Sequence, residues 1–216
     1  EYNSQGFHIS FVTGTDITVS NGVDTQTTVV SAIQHPDYTE TPFLTADIAV
    51  AQLENGPPGV APMEMNSINP RSAGWRYDFL THVGWGADDD DSTGAGIKRE
   101  VTLEYASFDD GFLYTVSDDG SNVCVGDSGG PALGRSESGH ALVVGVSAFV
   151  FDPEGGAPVC EGGAAGSTRV DVHLDFIEAV LTEEIEVGSG GWADFAGDEK
   201  DSSGSIVGGA DKSGCA

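Results

Sequence analysis

Short apolar runs with a period of two dominate the chain. Phe7-His8-Ile9-Ser10-Phe11-Val12 reads as a strand ended by Thr13-Gly14, and Asp16-Ile17-Thr18-Val19 as a second ended by Asn21-Gly22. The β-branched stretch from Thr27 to Ile33 predicts a third strand, and Asp47 to Leu53 a fourth. Between Glu54 and Pro62 three prolines and two glycines mark a loop or linker. A second strand-rich block begins near Trp75, with strands expected at Thr81–Trp85, Lys98–Tyr105, Phe112–Val116 and Ala141–Phe151. The period then changes. Val172, Phe176, Ile177 and Val180 recur at helical spacing behind Asp171, a candidate N-cap, and predict a helix over Val170–Leu181. Many short strands followed by one late helix argue for an all-β barrel or sandwich. Residues 188 to 216 are mostly Gly, Ser, Asp and Ala and are expected to form a weakly ordered tail.

Composition narrows the function classes. The chain has 216 residues, of which 38% are hydrophobic, enough to bury a core. No apolar run approaches the roughly 18 residues of a membrane-spanning helix. Lys and Arg total 8 against 35 Asp and Glu, a formal charge of -27. Duplex DNA and anionic membranes would be repelled. The charge is spread along the chain, which suits a surface kept hydrated and screened in high salt. The acidic insert Asp88–Asp91 is read as a solvated loop, with calcium as the alternative occupant. Calcium needs about six to eight shaped oxygens, and four adjacent carboxylates mostly repel one another, so no cofactor is expected. Of the three cysteines, Cys124 and Cys160 flank the serine loop and a later loop and form the expected bridge, which implies an oxidising compartment.

The chemistry concentrates in Cys124-Val125-Gly126-Asp127-Ser128-Gly129-Gly130-Pro131. Glycines here permit turns and close backbone approach. The Gly126 and Ser128 amides can then converge on one point and hold a developing oxyanion, with Ser128 as the attacking hydroxyl. Asp127 points away from Ser128 in so tight a turn and is expected to anchor the loop to a buried cation.

This motif resembles that of the trypsin-like (chymotrypsin-fold) serine proteases. His35-Pro36-Asp37-Tyr38 followed by Ala46-Asp47-Ile48-Ala49-Val50 is similar to the family's segment around the triad aspartate. Gly84-Trp85-Gly86, Val144-Gly145-Val146-Ser147, Thr168-Arg169-Val170 and Phe176-Ile177 follow in the family's order. The resemblance implies two packed antiparallel six-stranded β-barrels with a C-terminal helix. It also implies Ser128 as nucleophile, Asp47 as the residue orienting a histidine, Gly126 and Ser128 as oxyanion-hole donors and Asp127 as the partner of a buried N-terminal amine. Asn122, Val123, Ser147, Ala148 and Phe149 would line the substrate pocket, with Ser147 also helping to place the aspartate. The Cys124–Cys160 bridge would brace that pocket. Asn122 stands where family members selective for Lys or Arg carry an aspartate, so a small or polar residue before the scissile bond is expected.

The family's histidine, in a Thr-Ala-Ala-His-Cys setting ahead of the aspartate, has no counterpart here. His8 lacks that setting, His35 and His82 match structural positions, and His140 and His173 read as turn and helix-surface residues. Ile206-Val207-Gly208-Gly209 in the tail is similar to the family's mature start and is read as chance in a Gly-rich stretch. We therefore expect a processed product. Residues 1–186 would be a trypsin-like domain lacking its N-terminal segment, with part of the first barrel in 1–65 and the second barrel and helix in 66–186. Residues 187–216 would be the acidic tail. The expected partner is the N-terminal fragment of the same precursor, carrying the histidine and a free amine. The expected function is a secreted serine endopeptidase acting on protein or peptide substrates. The alternative is an inactive pseudoprotease that serves as a binding or scaffold protein.

Overall fold

The computed structural model describes residues 9–182. The expectations for the tail, for His8 and for Cys215 lie outside these residues. Two sheets form. The first has three antiparallel strands in the order β1 (Ser10–Gly14), β2 (Val23–Gln34) and β3 (Ala49–Leu53). The second contains β4 (Glu64–Met65), β5 (Phe79–Gly84), β6 (Arg99–Phe108), β7 (Phe112–Val116), β8 (Pro131–Arg135), β9 (Ala141–Phe151) and β10 (Ala164–Arg169). Its order is β10-β7-β6-β5-β8-β9-β4, and β10 also pairs with β9, which closes a six-stranded barrel. The helix α1 (Leu174–Leu181) follows. Among the described residues no helix is long and apolar enough to cross a membrane.

The closed barrel has the alternation that a half-buried strand requires. Along β5, Leu80, His82 and Gly84 point inward while Phe79 is exposed. Leu80, Leu103, Ala132 and Val144 are completely buried in its interior. The three-stranded sheet is different: among β1–β3 only Gly14 is buried. Phe11 and Val30 on these strands, and Ile9, Ile17 and Val19 beside them, remain exposed. Its firm attachment is at the far end, where Ile48 packs with Val170, Phe176 and Ile177.

Two local expectations change. Asp16–Val19 is not a strand. The Asp16 carboxylate accepts hydrogen bonds from the Thr18 amide (2.9 Å) and hydroxyl (2.5 Å), a local turn that competes with ladder pairing. The helix starts at Leu174 with His173 as N-cap, not at Asp171. Asp171 is occupied instead by the Arg169 guanidinium, through Nε at 3.0 Å and Nη2 at 2.6 Å.

Candidate active site

Ser128 is exposed on the turn between Cys124 and β8. The turn is shaped by reciprocal contacts. The Asp127 amide donates to the Cys124 carbonyl (3.0 Å), and the Cys124 amide donates to the Asp127 carboxylate (2.9 Å). Gly126 has φ +93°, a left-handed conformation that a side chain would strain. The Gly129 amide donates to the Ser147 carbonyl, and the Ser147 amide to the Gly130 carbonyl, both at 2.8 Å, so β9 grips the turn from its far side. Among the described residues the amides of Gly126 and Ser128 donate to no acceptor. Two unused donors beside an exposed hydroxyl can stabilise negative charge on an oxygen bound there.

Asp127 turns away from Ser128, as expected. Its carboxylate accepts the Gly86 amide at 2.7 Å and lies against a cavity of about 530 Å³. Asn122, Val123, Cys124 and Cys160 share that cavity wall, whereas Ser128, Ser147, Ala148 and Phe149 do not. The wall carries five carboxylates (Asp88, Glu100, Asp119, Asp127 and Glu161) against the single guanidinium of Arg99, and Arg99 is already paired with Asp88. The cavity therefore favours a cation. Both polar atoms of the Asn122 side chain are buried without a partner among the described residues. The Cys124–Cys160 disulfide is formed and ties the serine turn to the loop before β10.

Two of the expected pocket residues have packing partners of their own. The Ser147 hydroxyl meets His82 Nδ1 at 3.1 Å in the barrel interior. His82 Nε2 meets the Thr115 hydroxyl at 3.3 Å, and burial pushes the imidazole down to about 4. The Phe149 ring lies over Gly166 and packs on Phe112 at 5.2 Å, following a register shift between β9 and β10 at Gly166/Ser167. Ala148 is buried in the same strand.

Asp47 stands just ahead of β3 on the other sheet and is half-buried. Its carboxylate accepts no hydrogen bond among the described residues. Burial pushes it up, and the nearby charge of Glu40 adds to the effect. Glu40 is held by the Tyr38 hydroxyl at 2.7 Å. Sequence reasoning did not single out Glu40, and only its closeness to His35-Pro36-Asp37-Tyr38 hinted at a role. None of the described histidines serves Ser128 in this arrangement. His82 is enclosed in the barrel, His35 and His173 pack on each other at 4.8 Å, and His140 closes the β8–β9 turn. His173 is thus half-buried against another ring, which corrects its reading as a helix-surface residue. The acidic insert spends its carboxylates internally: Asp88 on Arg99, Asp89 on Thr93 and Asp90 on the Cys160 amide. Among the described residues no three His, Cys, Asp or Glu side chains are grouped to hold a metal ion.

Comparison with known proteins agrees with this architecture. A family model described as Trypsin matches residues 3–177. A solved structure titled neuropsin, a serine protease expressed in the limbic system of mouse brain, superposes with a TM-score of 0.63. The alignment has 19% sequence identity and covers 80% of this chain and 78% of that one, a likeness of fold. No curated protein matches the chain.

Proposed function

The chain belongs to the trypsin family, and from that premise we propose that it is a secreted serine endopeptidase whose catalytic imidazole is contributed by a further polypeptide segment. The observation that carries this reading is the exposed Ser128 beside two amides, Gly126 and Ser128, with no other acceptor among the described residues. Ser128 attacks the scissile carbonyl and the two amides hold the tetrahedral oxyanion. The imidazole takes the Ser128 proton and returns it to the leaving amine. Water then releases the acyl group by the same route. Asp47, half-buried and without a donor among the described residues, fits the role of orienting that imidazole.

The first sheet supports an added segment, because β1–β3 enclose no core and leave Phe11 and Val30 exposed. Strands laid against them would cover these side chains and the open edge. An amine from the same segment would enter the acidic cavity and pair with Asp127. The disulfide supports secretion, since such bonds persist in oxidising compartments. Neutral Asn122 supports selectivity for small or polar residues before the scissile bond. Cleavage of a peptide library confined to Arg and Lys would overturn that preference.

Fluorophosphonate labelling tests the whole reading. The protein purified from its native source under mild conditions is expected to carry a histidine-bearing fragment and to be labelled at Ser128. Ser128→Ala abolishes labelling and lowers peptide hydrolysis by at least about a thousandfold. A co-purified segment in which the histidine is replaced, with Ser128 unlabelled, would make the protein a binding module instead.

A further inference from the structure

The His35 and His173 rings meet edge to face, with centroids 4.8 Å apart and planes at 70°. His35 also packs on Phe176 at 4.6 Å. His35 directly follows β2, and its amide donates to the Ile48 carbonyl at 2.9 Å, next to Asp47. His173 opens α1, and its carbonyl accepts the Ile177 amide at 3.0 Å. The ring pair therefore stands where the Asp47 segment meets the helix. The apolar cluster of Ile48, Val170, Phe176 and Ile177 surrounds this junction.

The contact is built for uncharged rings. The Asp37 amide donates to His35 Nδ1 at 3.1 Å, which requires that nitrogen to be unprotonated. His173 Nε2 is buried and has no hydrogen-bond partner among the described residues. A cation there would also face the positive end of the α1 dipole. Four groups act on His173 from the neighbouring elements: His35 and Asp37 after β2, Arg169 at the end of β10, and Asp171 after it. Asp171 is already bound by two nitrogens of Arg169. Asp37 is exposed and acts through solvent, and Asp175 in the first turn of α1 is exposed as well. Burial holds His173 below its ordinary value, and His35 pushes the same way.

We propose that His35 and His173 form an acid-sensitive latch between the Asp47 segment and helix α1, closed while His173 is neutral and opened when it takes up a proton. A proton on His173 places a cation in an apolar setting, against the His35 ring and within the field of Arg169. Because the folded form binds the His173 proton less well than the open form, the latch is fully stable above about pH 6.5 and weakens as pH falls below it. The catalytic consequence, loss of the backing for Asp47 in mild acid, rests on the protease reading. The latch does not.

Hydrogen exchange of the full chain between pH 8 and pH 5, corrected for intrinsic rates, tests the latch. Opening of residues 46–50 and 170–181 is expected to rise on acidification by several-fold more than that of β5–β8, which share only the loss tied to His82. In His173→Phe that excess disappears. An equal rise in both proteins, or one no larger at these residues than in β5–β8, would overturn the proposal. If His173→Phe does not fold, exchange at the imidazole C2 position of the wild-type protein decides. A His173 midpoint below about 6.5 is expected, and one at or above it overturns the latch. Neither measurement needs catalysis, so its failure is distinct from failure of the protease reading.

Discussion

Asp127 reaches the Gly86 amide only because two neighbouring positions carry no side chain. A Cβ on Gly84 would lie 1.9 Å from Asp127 Oδ1, and one on Gly86 would lie 2.6 Å from it. The Gly84-Trp85-Gly86 motif is therefore a seat for the carboxylate that shapes the serine turn. Gly86→Ala is expected to expel Asp127 and slow fluorophosphonate labelling of Ser128 by about a hundredfold, the scale of losing an oxyanion donor. Unchanged labelling would show that Asp127 has no hold over the turn. His82 gives a second prediction at this scale. Its folded-state value of about 4 lies below the ordinary 6.5, so its contribution is complete above pH 6.5 and lost as pH falls toward 4. The loss is of order 3 kcal/mol. Urea midpoints measured from pH 7.5 to 4.5 should decline in the wild type and decline less in His82→Gln. Parallel curves would remove His82 from the account.

Two cross-links hold the elements around the site. The disulfide closes a loop with a sequence separation of 36 between the serine turn and the segment entering β10. Replacing both cysteines by alanine is expected to cost about 3–4 kcal/mol by urea unfolding. The second link is the Arg169–Asp171 pair, with side chains 1% and 4% exposed. Arg169 also donates to the Asp109 carbonyl at 2.7 Å and so joins the end of β10 to the β6–β7 turn. Asp171→Ala leaves a buried guanidinium without its counter-ion and is expected to cost about 3–5 kcal/mol. A loss under about 1 kcal/mol would mean that water or the Asp109 carbonyl compensates.

Across the whole molecule the charge of -27 opposes compaction. Screening should relieve that opposition, since the Debye length shrinks from about 10 Å at 0.1 M salt to about 3 Å at 1 M. The melting temperature is expected to rise by several degrees between low salt and molar KCl. A flat or falling curve would show that the carboxylates are already accommodated by local partners, as Asp88 and Asp109 are. The same scale contains the unequal barrels: one closed, the other three strands with no enclosed core.

Linear order alone was enough to place four strands of the closed barrel, β5, β6, β7 and β9. The strands expected at Phe112–Val116 and Ala141–Phe151 are β7 and β9 residue for residue, because period-two patterning acts between neighbours in the chain. The serine turn and the Cys124–Cys160 bridge were legible from residue types and their placement, whereas Gly84-Trp85-Gly86 entered only through the family resemblance. The partners of the polar side chains were not legible. Whether Ser147 meets His82, whether Asp171 caps a helix or binds Arg169, and whether His173 meets solvent or His35 depend on how β9, β10 and α1 close against strands distant in sequence. A one-residue slip in a strand exchanges its two faces, so these pairings exist only once barrel closure has set the register.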